Sequence, residues 1–247
     1  MKLLLINPNI SDSVSALIRA EAQRAADPGT QIEVLTAPFG VAYIETRFEA
    51  LIGAYATAQL SAEHHGSYDA VVVAAFGDPG LAGLREALPI PVTGLTEAAL
   101  ASAHLLGHRI SIIAISQRIQ AWYREVVEGY GFGPRLASIR ALDRPLSGIG
   151  EVQQEHSQAL KALAERAVDE DGADVIVLAG APLAGLARTL QGQLPVPVVD
   201  GVSSAVRHAQ TLMALRPGTH TRGSFAPPPA KPNRGLPPAI QALLARS

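Results

Sequence analysis

Two stretches of the chain end a β-branched run in a loop of small residues. Asp69-Ala-Val-Val-Val-Ala-Ala75 continues into Phe76-Gly-Asp-Pro-Gly-Leu81, and Asp174-Val-Ile-Val-Leu-Ala-Gly180 continues into Ala181-Pro-Leu183. Ala75 and Gly180 carry no group that moves a proton. The groups around them that could do chemistry are few. Asp78, before Pro79 at a helix start, reads as an N-cap or as a carboxylate base. Asp200, in Val199-Asp200-Gly201, reads as a cap or turn residue. Asn7 ends the first apolar run, where its amide could hold a carboxylate or imide, or simply form the turn Asn7-Pro8-Asn9. Ser116 could donate to a ligand, cap its helix, or do both. The 247 residues include no cysteine, which removes disulfides, thiolate metal sites and thiol nucleophiles together.

The other motifs are weaker. His64-His65 sits at a helix end, where a cation suits the dipole. His104 and His108 are separated by Gly107, which breaks any shared zinc-binding face. Gly129, Gly131 and Gly133 follow a helix rather than a strand, so they make no dinucleotide fingerprint. There is no phosphate-binding P-loop and no G-x-S-x-G nucleophile elbow. No metal site is expected.

The elements that must position these groups follow from hydrophobic patterning. Strands are expected at Leu3–Ile6, Ile32–Leu35, Val71–Ala74 and Pro91–Gly94. The helices between and after them start at a Ser11 or Asp12 cap, at about Phe48, at Leu81 and at a Thr96 cap. The pattern then begins again, with strands at Arg109–Ile115, Leu136–Arg140, Val175–Leu178 and Val196–Val199. Its helices are Gln117–Glu128, Glu151–Glu170, Leu183–Leu190 and Val202–Ala214. Leu88-Pro-Ile-Pro-Val-Thr-Gly94 matches Leu194-Pro-Val-Pro-Val-Val-Asp200. Two βαβαβαβα units of about 100 residues imply an α/β fold of two similar parallel-sheet lobes related by pseudo-twofold symmetry. Ligands of such sheets bind beyond the carboxyl ends of the strands, here in a cleft between the lobes. Residues 1–100 plus 203–247 are expected to form the first lobe with a C-terminal extension, and 101–202 the second. The proline-rich tail from Pro217 reads as an extended arm closed by a helix at Ala239–Ala245, or as a proline-rich partner ligand.

Composition bounds the function. The chain is 48% hydrophobic and 17% charged with a net charge of −2, which allows a sizeable core and gives no electrostatic case for nucleic acid or a membrane surface. Met1–Ile6 is too short for a signal h-region, and no apolar run approaches the ~20 residues of a membrane span. A cytoplasmic protein is expected.

At Ile6-Asn7-Pro8-Asn9, Ala75-Phe-Gly-Asp-Pro-Gly-Leu81, Val177–Leu183 and Val199-Asp-Gly201 the chain resembles the aspartate/glutamate/hydantoin racemase superfamily, most of all its hydantoin and allantoin racemases. The resemblance covers nearly the whole chain. It implies two α/β lobes with one site between them, no metal or organic cofactor, and a homo-oligomer. It also implies two catalytic cysteines, one per lobe, that remove and return a Cα proton on opposite faces. Those cysteines fall at Ala75 and Gly180. The implied substrate cradle is Asn7, Glu45, Phe76, Gly77, Ser116 and Ala181.

The two-thiol mechanism cannot run in this chain. Three explanations are open. Ala75 stands for a deliberate Cys→Ala change in a one-thiol protein suited to decarboxylation or double-bond isomerisation. Alternatively a carboxylate, Asp78 or Glu45, is the base, which requires raising its pKa by about three units, roughly 4 kcal/mol. In the third case the protein only binds its ligand. The class implied is a cofactor-independent racemase-type isomerase acting on a small hydantoin-like or amino-acid-like molecule. A decarboxylase or lyase, and a silent binding protein, are the alternatives.

Overall fold

A computed structural model describes residues 1–143 and 148–245. The first sheet comprises β1 (Lys2–Asn7), β2 (Gln31–Thr36), β3 (Ala70–Val73) and β4 (Val92–Gly94), in the order β2-β1-β3-β4. The second comprises β5 (Ile110–Ala114), β6 (Leu136–Ala141), β7 (Val175–Leu178) and β8 (Val198–Asp200), in the order β6-β5-β7-β8. Every pairing is parallel. The second order is the first advanced by four strands. The central strands are continuous apolar runs because helices cover both faces, and Leu3–Ile6 and Val71–Val73 are fully buried.

The helices are α1 (Asp12–Ala25), α2 (Arg47–His64), α3 (Leu81–Ala87), α4 (Leu95–His104), α5 (Gln120–Gly129), α6 (Val152–Asp171), α7 (Leu186–Leu190), α8 (Gly201–Leu215) and α9 (Pro238–Leu244). Ser11 caps α1, and Thr46 with Glu49 forms a capping box on α2. In α1 the spacing of Val14, Ile18 and Ala22 aims one stripe at the first sheet, where all three are fully buried.

Two helices cross between the halves. Helix α4 follows the first sheet, yet Ala99, Leu100 and Ala103 pack with Ile110, Ile112, Val175 and Val177 of the second. Helix α8 follows the second sheet, yet Val202, Ala205, Val206 and Ala209 pack with Leu3, Leu5, Ala70 and Val72 of the first. The two helices also pack on each other.

The loops after the central strands make the same exchange. Phe76, after β3, is buried in the core of the second half, with its ring 4.7 Å from that of Tyr123. Ala181, after β7, is buried in the core of the first half.

Several boundaries differ from expectation for local reasons. Helix α4 starts at Leu95 with Gly94 as its cap, so Thr96 is not the cap. Its hydroxyl instead accepts the Gly77 N–H at 2.5 Å. The expected helix at Leu183–Leu190 is a 3-10 turn at Ala181–Leu183 and then α7, interrupted where Gly185 takes φ +85°. Strand β8 begins after Pro197, which has no N–H for a ladder bond, although its carbonyl still accepts from Ile176. Helix α9 packs on α2, with Leu243 against the cluster around Leu60.

The Phe76 insertion has a measurable consequence. Phe76→Ala leaves a cavity between the halves and is expected to lower stability by about 3–5 kcal/mol in urea unfolding, the range for a buried phenylalanine. A loss below ~1 kcal/mol would show that the ring is not a core residue.

Candidate active site

The ends of β1, β3, β5 and β7 carry the residues singled out by sequence. At the end of β1 the Asn7 side chain is fully buried. Its amide donates to Asn9 Oδ1 at 3.0 Å, Ser15 Oγ at 3.0 Å and the Ser11 carbonyl at 3.1 Å, while Asn7 Oδ1 accepts the Asn9 N–H. This amide builds the β1–α1 loop, the turn-forming reading of Asn7. Ser116 is half-buried after β5, and its hydroxyl accepts the Arg118 N–H at 3.2 Å, capping a 3-10 turn.

The loop after β3 is the most constrained. Gly77 takes φ +96°, and a Cβ there would lie 2.4 Å from the Trp122 ring, so only glycine fits. Asp78 also has positive φ, +47°, a conformation aspartate tolerates better than most residues. Asp78 does not cap α3, whose cap is Gly80. Its carboxylate reaches the N-terminus of α4 and accepts the Thr96 and Glu97 N–H groups at 2.9 Å each. The Tyr130 hydroxyl donates to it at 2.9 Å. Asp78 is only 4% exposed. Burial pushes its pKa up to about 6, with Glu97 adding to the rise, while the three donors hold it lower than burial alone would.

Around Asp78 stand residues that sequence reasoning missed. Tyr130 gains a raised pKa from burial and from the neighbouring Asp78 charge. Tyr123, 3% exposed, is raised by burial, then by the charges of Asp78 and Glu45. Asp78, Glu45 and Tyr123 therefore share one electrostatic neighbourhood. Arg85 forms a paired contact with Glu97 beside it. Glu45 is half-buried, and Glu49 Oε2 accepts both the Glu45 and Thr46 N–H groups. The aromatic run of α5, Trp122 and Tyr123, was the available signal. It reads as helix core until Gly77 and Phe76 are seen to lodge against it.

Ala75 and Gly180 are both half-buried, but their backbones differ. Ala75 is not among the residues with positive φ. Gly180 lies at φ +109°, ψ 143°, a region open essentially to glycine alone. Space is not the limit, since a Cβ at 180 would meet only Pro182 Cδ, at 3.4 Å.

Two surface cavities are lined by other residues. One holds Gln117, Arg140, Leu163 and Arg166, and the other Glu21, Arg188, Asp200 and Ser203. Among the described residues no cluster of three His, Cys, Asp or Glu side chains could hold a metal, and no helix is long and apolar enough to cross a membrane.

Two four-stranded parallel sheets of corresponding strand order, with helices crossing between them, define an α/β scaffold of two similar halves. The chain belongs to the Asp/Glu/Hydantoin racemase family, which it matches over residues 3–209. It is 36% identical over 233 residues to a hydantoin racemase from Paenarthrobacter aurescens, covering 94% of this chain and 99% of that one. It is 34% identical to the structure of an allantoin racemase from Klebsiella pneumoniae, with a TM-score of 0.92 over 97% of this chain and 98% of the other. An arylmalonate decarboxylase shares the fold at 17% identity and a TM-score of 0.63, over 91% of this chain and 97% of that one.

The Asp78 environment predicts a pH dependence. Its folded pKa of about 6 lies above the ordinary aspartate value. The folded state therefore binds the extra proton, and stability attributable to Asp78 is fully present below about pH 4 and lost as pH rises through 6. Relative to Asp78→Asn, the unchanged chain is expected to gain about 2–3 kcal/mol between pH 7 and pH 4 in urea titrations. Parallel profiles for the two proteins would rule this out.

Proposed function

We propose that this racemase-family protein binds a small hydantoin-like or amino-acid-like molecule between the strand ends of its two halves and does not racemise it. The backbone of Gly180 carries this reading. Racemisation needs one group to remove the Cα proton and a second, on the opposite face, to return one. The methyl of Ala75 and the hydrogen of Gly180 do neither, and the main chain at 180 has taken a conformation that disfavours any side chain.

The buried carboxylates do not supply a replacement. Asp78 accepts three hydrogen bonds. Asp200 accepts the N–H groups of Ser203 and Gly185 at 2.9 and 2.7 Å. Binding is supported by the family membership and by the small ureide rings named in its relatives, hydantoin and allantoin. Backbone N–H groups at strand-to-helix loops suit the carbonyls of such rings.

The test compares the unchanged chain with Ala75→Cys and Gly180→Cys in D2O, using 5-substituted hydantoins, allantoin and free amino acids. Calorimetry is expected to show binding of at least one ligand by the unchanged chain, with no Cα deuterium exchange above the buffer rate. Ala75→Cys is expected to exchange the proton without loss of optical rotation, because deuterium returns from the same face. Gly180→Cys is expected to lose about 1–3 kcal/mol of stability from backbone strain. Racemisation by the unchanged chain overturns the reading, and Glu45→Gln would then ask whether Glu45 is the base. Absence of binding to the whole panel overturns it equally.

A further inference from the structure

Each sheet ends in a short edge strand, β4 in the first and β8 in the second, and the two edges are finished differently. The ladder between β3 and β4 uses the Pro91 carbonyl, which accepts the Val71 N–H at 3.0 Å, so Val92 turns its own carbonyl away from the sheet. Arg85 closes that open side. Its Nε donates to the Val92 carbonyl at 2.9 Å, and its guanidinium pairs with Glu97. The second edge begins in the same way. Pro197 accepts the Ile176 N–H at 2.9 Å, and Val198 faces outward. Aligning Leu88–Gly94 with Leu194–Asp200 puts Gln191 at the position of Arg85 and Ser203 at that of Glu97. Neither is charged. Among the described residues none donates a hydrogen bond to the Val198 carbonyl.

Where the ion pair would stand there is an open cavity of about 550 Å3, lined by Gln191, Val198, Asp200 and Ser203 together with Glu21 and Arg188. None of Asn7, Glu45, Ala75, Asp78, Ser116 and Gly180 borders it. Two of its carboxylates are buried, Glu21 at 3% and Asp200 at 7% exposure. Glu21 is engaged by Arg24, Arg188 and the Ser203 hydroxyl. Asp200 accepts the Ser203 and Gly185 N–H groups and pairs with no cation among the described residues. Burial raises its pKa, and the Glu21 charge adds to the rise. A carboxylate offers about four acceptor sites, so Asp200 has capacity left for a donor.

From this difference we propose that the open edge of β8 binds a small cation that carries a guanidinium group on an apolar stem. The guanidinium takes the place that Arg85 holds at the first edge. It donates to the Val198 carbonyl on one side and to the Asp200 carboxylate on the other. A planar fork of N–H donors serves two such acceptors at once, which the single nitrogen of an ammonium does less well. The stem lies against Leu106, Val196 and Pro197, which complete the wall. Arg188 is turned to Glu21 and so leaves Asp200 to the ligand.

Methyl NMR titration of the full chain with n-butylguanidinium and n-butylurea tests the site. The guanidinium is expected to bind saturably at millimolar concentration or below and to shift the methyl signals of Val198 and Leu106. The urea keeps a planar set of donors without the charge, and is expected to bind at least about tenfold more weakly. Gln191→Arg restores an arginine at the position matching Arg85, and is expected to raise the Kd about tenfold or more by filling the site from within. Asp200→Asn keeps a helix-capping side chain and removes the charge, with an expected rise in Kd of about the same size. Gln120→Arg, at the other cavity, is expected to leave the Kd unchanged. Circular dichroism and thermal melting establish that each variant is folded. No saturable binding, equal affinity for n-butylurea, an unchanged Kd in folded Gln191→Arg or Asp200→Asn, or a loss of binding in Gln120→Arg would each overturn the proposal.

Discussion

The N-terminus of α4 needs a carboxylate that its own cap residue does not provide. Gly94 occupies that cap, and a Cβ on it would fall 2.4 Å from the Asp78 carboxylate. Asp78 thus fills the volume of a missing side chain and meets the unpaired N–H groups and positive end of the helix. In the second half, the matching helix α8 is capped by Asp200 itself, through the Ser203 N–H. The two halves solve the same electrostatic problem from different positions. The first solution draws the whole β3–α3 loop across the boundary between them. With Asp78 held there, Phe76 lies in the other half's core, Gly77 lies under Trp122, and Tyr130 reaches back to the carboxylate.

That arrangement places a charge where charge is costly. Asp78 is almost without solvent and has Glu97 nearby, which accounts for the upward pKa shift. Three donors and the Arg85–Glu97 pair make it tolerable. A third buried carboxylate, besides Asp78 and Asp200, ties the halves together elsewhere. Glu21 on α1, 3% exposed, accepts the Ser203 hydroxyl at 2.5 Å and pairs with Arg188 of α7 and Arg24. Ion pairs of this kind contribute little net stability but penalise misalignment, because a displaced partner leaves an unpaired buried charge.

Much of the scaffold was legible in the sequence because parallel strands buried on both faces are continuous apolar runs. Val175–Leu178 is a strand to the residue, and the Leu-Pro-x-Pro repeat marks one edge strand of each sheet, β4 and β8. The strand-end loops were legible only as chain positions. Asp78 was legible as a cap or a base, but the helix N-terminus it meets is that of α4, beyond the next strand, and no local pattern encodes that partner. Asn7 and Ser116 were visible as polar groups at strand ends, whereas their hydrogen-bond partners depend on loop closure. Tyr123 was hidden because a tyrosine on an amphipathic helix face is indistinguishable from core until the opposite surface is known, and Tyr130 because it stands just past the end of α5, where sequence shows no partner.

Under the proposed reading, the two missing thiols are not equivalent losses. Ala75 lies on ordinary backbone, so its methyl differs from a cysteine side chain by the sulfur alone. At Gly180 the difference lies in the main chain, whose positive φ leads into a 3-10 turn stapled by the Gln153 amide to the Pro182 and Ala184 carbonyls at 2.9 and 2.8 Å. Reversing it requires moving a segment whose Ala181 is part of the other half's core. The two sheets share one strand order, and the halves differ at these two residues. Proton chemistry regained by a side-chain change alone would arise at 75 and act on a single face of the ligand.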